Sequence, residues 1–275
     1  MRPGSAFPCM PDRLVDALAQ GHDVRPYTKY RGAHWRLASL AELAPDHPAA
    51  REAADEDLEW LANPRRLRSF PKIDGRVRRC GSIEGLSLYS ATRVGLVGDQ
   101  RLERLADSLV ETQWPDGGWN CDRRPGASHS SFHETWAPIL GLAEYGRATG
   151  DERARGAAER GAEFLLRHKV VMSHRTGKLA NRKFLALRYP PYWHYDLLVG
   201  LTTLARTVGL GDPRAGDALD LLEEKRQDGG NWRADGRWWS PPGSTRAVEA
   251  VDWGEAEDEL LTRRAREVLA TAGRR

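Results

Sequence analysis

The chain has 275 residues, and its 42 Lys+Arg stand against 39 Asp+Glu for a formal net charge of +3. The two signs are interspersed rather than gathered in blocks, which leaves a nucleic-acid partner without electrostatic support. Three cysteines, Cys9, Cys80 and Cys121, are too few for a disulfide scaffold. No stretch approaches the roughly 20 apolar residues of a bilayer span, and residues 1–20 lack the apolar run of a secretory signal. The expectation is one soluble, cytoplasmic domain over 1–275 with no transmembrane segment, its oligomeric state open.

Read from the N-terminus, the sequence alternates two kinds of helix. An amphipathic helix is expected near 12–20, within an N-terminal arm and helix over 1–33, and an inner helix near 34–44. After Pro48, the residues Ala50, Ala53, Ala54, Leu58 and Leu61 fall on one stripe and predict a one-sided helix over 48–62. Residues 81–96 differ: from Ile83 to Leu96 nearly every face is apolar or small, and such a helix must be covered on all sides.

The alternation then repeats. Gly98-Asp99-Gln100-Arg101, Gly150-Asp151-Glu152-Arg153 and Gly211-Asp212-Pro213-Arg214 begin alike and open one-sided helices over 99–113, 151–167 and 212–226. In each, Asp is placed to cap free N–H groups, and Pro213 is tolerated in the first turn. Inner helices are predicted over 132–147, 192–208 and 253–271.

One-sided and all-round apolar helices in register with a repeat are what two concentric layers require. The predicted fold is all-α, an α/α toroid of about five helical hairpins over 34–271. The long irregular stretches 64–79, 114–131, 168–191 and 227–247 each precede an inner helix, so parallel inner helices would gather them at one end, where a binding site is expected. Ten tryptophans suggest packing anchors or an aromatic-lined cavity.

Gln113-Trp114-Pro115-Asp116-Gly117-Gly118-Trp119 resembles the QW repeat of terpene cyclases, with partial copies at Arg160 to Leu165 and Arg226 to Trp232. The likeness runs over most of the chain from about 34 onward, although family toroids have more hairpins. It implies an enzyme of the terpene cyclase and prenyltransferase superfamily, acting on an isoprenoid or other hydrophobic small molecule in the toroid cavity. The Asp-x-Asp-Asp acid of squalene-hopene-type cyclases has no counterpart, because Asp55-Glu56-Asp57 lies on an outer helix. Phe132-His133-Glu134-Thr135 and Cys80 resemble the zinc-holding elements of protein prenyltransferases, with Arg78 where that family has Asp.

Cys80, His133 and His194 fall at predicted first turns of successive inner helices, and Cys121 and Asp122 follow the first Gly-Gly-Trp. Cys80, Cys121, His133 and His194 are candidate zinc ligands. The alternative is that the cysteines are small buried residues and the histidines hydrogen-bonded helix starts. His133, Glu134, His194, Asp196 and Asp122 are candidates for acid-base work, and Trp136, Trp193 and Tyr195 for cavity aromatics. Arg78, Arg124 and Arg188 are candidates for a cationic rim that suits a diphosphate, against the alternative of ordinary surface charge. Two further readings are a zinc-dependent enzyme that resembles lanthionine synthetase cyclases and a non-catalytic binding or scaffold toroid.

Overall fold

In the computed structural model, residues 12–244, 249–254 and 256–274 are described; the first part of the N-terminal arm, with Cys9, lies outside them. Helices begin where the sequence supplies caps. The side chains of Asp99, Asp151 and Asp212 accept the backbone N–H groups of Arg101, Arg153 and Arg214 at 2.8 to 2.9 Å, as the repeated Gly-Asp openings predict. The elements are α1 (Asp12–Ala19), α2 (Ala33–Leu43), α3 (Pro48–Leu61), α4 (Pro64–Leu67), α5 (Gly81–Arg93), α6 (Gln100–Glu111), α7 (Phe132–Thr149), α8 (Glu152–Arg167), α9 (Leu197–Thr207), α10 (Gly216–Glu224) and α11 (Ala256–Thr271). The fold is all-α. Its described strands are a two-residue pair, β1 (Lys72–Ile73) and β2 (Arg76–Val77), joined by Asp74-Gly75 with both residues at positive φ. No helix among the described residues is long and apolar enough to cross a membrane.

Two boundaries differ from expectation. The helix expected over 192–208 starts at Leu197, because Asp196 caps it through Val199 N–H, and Tyr192 to Tyr195 remain in the preceding segment. The helix expected over 212–226 splits into a tight 3-10 turn, Pro213–Ala215, and α10.

The apolar stripes settle which helices cover which. In α6 the buried residues Leu102, Leu105, Ala106 and Leu109 form one stripe, whereas α5 is buried on nearly every face. The largely buried helices pack in order, α2 on α5, α5 on α7 and α7 on α9, and α9 packs on α11, which is exposed along one side. The one-sided α3, α6, α8 and α10 lie against them. Arg264 of α11 donates to both carboxylate oxygens of Glu42 of α2 at 2.6 Å, which joins the last of these helices to the first.

The closest approach is between α5 and α7, and it is made by glycine. A Cβ on Gly85 would stand 2.1 Å from Pro138 N, one on Gly141 would stand 2.4 Å from Gly85 O, and one on Gly81 would stand 2.5 Å from Glu134 O. No larger residue fits these positions while the helices keep their spacing.

The Gly117-Gly118-Trp119 and Gly230-Asn231-Trp232 segments fasten helices to their neighbours. Gly117 takes φ +98°, and Trp119 then turns its indole N–H onto the Leu109 carbonyl at the end of α6 at 3.0 Å. Trp232 makes the same bond to Leu222 of α10 at 2.8 Å. Each Trp backbone N–H is taken by a threonine hydroxyl of an inner helix, Thr135 in one case and Thr262 in the other. Gln113 donates to the Ala157 carbonyl of α8 at 2.8 Å, so it links consecutive outer helices.

Asp57, on the helix read from the sequence as one-sided, is fully buried. Its carboxylate accepts the Ser87 hydroxyl of α5 and lies 3.4 Å from His34 Nδ1 of α2. A charge on the inward side of α3 is thereby consumed in pinning one outer helix to two inner ones.

The glycine contact predicts opposite outcomes for two similar substitutions. Gly85→Ala is expected to destabilise by at least about 2 kcal/mol, because overpacking against backbone outweighs the gain of about 1 kcal/mol in helix propensity. Gly156→Ala in α8, where a Cβ meets nothing closer than an Arg160 guanidinium nitrogen at 3.5 Å, is expected to be neutral or stabilising. Urea unfolding of both variants checks the pair, and a harmless Gly85→Ala would refute the close approach.

Candidate functional site

The segments leading into α2, α5, α7, α9 and α11 meet at one end. Glu134 in the first turn of α7 accepts Ser82 N–H and the Ser82 hydroxyl of α5 at 3.0 and 2.9 Å. His133 Nδ1 accepts the backbone N–H of Tyr195, ahead of α9, at 2.9 Å. Tyr30, ahead of α2, stacks on Tyr192 with ring centroids 3.9 Å apart, and Trp253, ahead of α11, donates to the Tyr192 hydroxyl at 3.4 Å.

Cys80 and Cys121 are brought together here. Arg79 N–H donates to the Asn120 carbonyl at 3.2 Å, which sets the following residues side by side. The Cys121 thiol donates to Glu134 Oε1 at 3.3 Å. Burial pushes the Glu134 carboxyl up, against the pull of its Ser82 and Cys121 donors. One turn below, Glu84 is buried and paired with both Arg66 and Arg79.

The histidines belong to a neighbouring cluster. The Tyr195 N–H fixes the proton of neutral His133 on Nε2, and burial lowers its pKa. His194 is sandwiched between Trp193 and Trp238, at 3.9 and 3.5 Å between centroids. Lys29 covers the first indole and Arg188 the second. Burial, with His133, Lys29 and Arg188 nearby, lowers His194 to about 3, so it is neutral at physiological pH and carries no proton to donate as an imidazolium. Tyr195 is a buried peg whose hydroxyl donates to the Val170 carbonyl at 2.6 Å. Trp136 reaches the central space while its indole N–H bonds the Trp193 carbonyl at 3.3 Å.

The arginines expected at a diphosphate rim have other occupations. Arg78 is buried, stacks on Trp114 and donates to the Ala127 carbonyl at 2.9 Å. Arg124 is exposed and clasps Asp122, whose carboxyl it holds down to about 2. Arg188 is engaged with Trp238. Asp122 is therefore a salt-bridged carboxylate and not a poised acid.

Zinc does not fit these donors. Among the described residues, no group of three or more His, Cys, Asp and Glu side chains is placed to hold a metal ion. His133 Nδ1 accepts the Tyr195 N–H, and Glu134 accepts from Ser82 and Cys121. The two thiols alone fall short of a tetrahedral set.

Two spaces adjoin the site. A cavity of about 60 Å³ lies among the all-round helices, walled by Ala38, Leu86, Trp136, Leu140, Tyr192 and Val199, with Glu42, Arg206 and Arg264 toward the C-terminal ends of α2 and α9. An open groove of about 700 Å³ runs between the 114–131 and 168–184 segments, past His133, His168 and His174. Sequence reasoning missed Ser82, the Glu42–Arg264 pair and Glu249. Glu249 is buried, and its surroundings raise it to about 8, burial being the main cause. No local pattern marks it. Comparison with protein-family models, curated proteins and solved structures returns no match.

Asp196 is raised from 3.8 to about 6, chiefly by burial. The folded state thus holds its proton more tightly than the unfolded chain, so this group's contribution is favourable at low pH and is lost as pH rises from about 4 to about 6. Asp196→Asn keeps a capping oxygen and removes the titration. The variant is expected to gain on the wild type across that window, by up to about 3 kcal/mol. Denaturation midpoints that run parallel from pH 4 to pH 7 would contradict this.

Proposed function

We propose that the helices form an α/α toroid and that the chain is an enzyme resembling terpene cyclases and prenyltransferases, which takes the apolar part of an isoprenoid or similar small molecule among its inner helices. The observation that carries this reading is that α2, α5, α7, α9 and α11 all contribute to, or lie against, one apolar cavity, while Glu42–Arg264 joins the last helix to the first. Hydrocarbon and indole walls suit a prenyl chain, and cation-stabilising aromatic faces suit its chemistry.

The volume sets a condition. About 60 Å³ is well below the roughly 150 Å³ that holds benzene, so the side chains around it must move to admit a ligand. With Asp57 locked into its network and Glu134 accepting from Ser82 and Cys121, Asp196 and Glu249 are buried carboxyls that burial favours in the protonated form, and they are able to supply a proton. The same small volume favours a second reading, a non-catalytic scaffold whose centre is filled by its own side chains.

Titration with prenyl alcohols and diphosphates of one to three isoprene units separates the two readings, with tryptophan fluorescence as readout because Trp136 lines the cavity. Saturable binding is expected, weakened at least about tenfold, or 1.4 kcal/mol, in Ala38→Phe, which fills the space. Chromatography of the incubated ligands reports cyclised or transferred products. A flat titration across the series with folded protein would leave the scaffold.

A further inference from the structure

The thiols of Cys80 and Cys121 form a pair whose surroundings are those of thiol chemistry. Both are free and half-buried. The backbone bond from Arg79 to Asn120 holds them adjacent. Cys80 immediately precedes α5 and its side chain makes no capping bond, so its sulfur stands at the positive end of a 13-residue helix with no structural duty there. Cys121 has a proton acceptor in place, Glu134 Oε1 at 3.3 Å, on a carboxyl anchored by Ser82 through its other oxygen. The two sulfurs are unequal: Cys80 stands at the start of α5, and Cys121 directs its one thiol hydrogen at Glu134.

We infer that Cys80 and Cys121 are a redox-active dithiol, Cys80 the attacking and Cys121 the resolving sulfur, oxidised to an intramolecular disulfide by a hydroperoxide and restored by a small thiol. The Cys80 thiolate attacks the terminal peroxide oxygen, the O–O bond breaks, and the leaving oxygen departs as alcohol or water after taking a proton. Cys80 is then a sulfenic acid. Cys121 passes its proton to Glu134 and attacks the Cys80 sulfur; the S–O bond breaks, and the departing hydroxide takes that proton to leave as water. In sum, two thiols and one hydroperoxide give a disulfide, an alcohol or water, and one water. Two molecules of a small thiol reverse the change by exchange. This chemistry is independent of the hydrophobic-ligand reading.

The test uses the full chain carrying Cys9→Ser, so that only these two thiols remain. A stoichiometric amount of hydrogen peroxide is expected to abolish both thiol titres, lower the intact mass by about 2 Da, and join the Cys80 and Cys121 peptides in a map that dithiothreitol reverses. In Cys121→Ser the reaction is expected to stop at a sulfenic acid on Cys80 that dimedone traps. In Cys80→Ser, Cys121 is expected to react at least about tenfold more slowly. Circular dichroism establishes that each variant keeps its helices. Retention of both thiols, over-oxidation of Cys80 without a cross-link, or stoichiometric zinc that disappears with Cys80→Ser would overturn the assignment.

Discussion

The contact of α5 with α7 across Gly81, Gly85 and Gly141 governs the geometry of the candidate site. Ordinary side chains hold helix axes about 8–10 Å apart, and glycine at these positions lets backbone rest on backbone. At the N-terminal end of that contact, Glu134 comes within bonding distance of Ser82 and Trp119 packs beside Gly81. The segment after Trp119 then delivers Cys121 to Cys80 and Glu134. Widening the two helices by the thickness of a methyl group would separate every one of these partners.

Apolar burial gathers the helices, but it is non-directional and does not by itself choose their register. The buried polar groups do that. Asp57 joins α3 to α2 and α5, Glu84 gathers Arg66 and Arg79, and the two tryptophan–threonine arrangements repeat one fastening in two places. Such groups add little net stability, since desolvation offsets most of their attraction. Their contribution is selectivity, because a slipped helix would strand a buried charge.

How much of this was legible follows from what each feature depends on. The caps at Asp99, Asp151 and Asp212, the stripe of α6 and the turn at Gly117 depend on residues within a few positions, and the sequence displays them directly. The Asp74-Gly75 hairpin follows the same local rule, within the stretch 64–79 that the sequence shows as irregular. The fates of the arginines were not readable. Arg78 looks like surface charge until Trp114 and Ala127 are placed around it, and Asp57 looks solvated until Ser87 faces it. The sequence offers Cys80, Cys121, His133 and His194 as one set of zinc ligands; in the fold Cys121 lies against Glu134, His133 accepts a backbone N–H and His194 stacks on two indoles, contacts that no local pattern displays.

The ion pair between Glu42 and Arg264 couples positions 222 residues apart in the chain. A growing polypeptide made at about 5–20 residues per second exposes Glu42 for roughly 10 to 45 s before its guanidinium partner exists. During that interval the outward flank of α2 has no neighbour on that side, while the hairpins between can pack on one another as they emerge. The seam between α2 and α11 is therefore among the last contacts of the fold to become possible during synthesis.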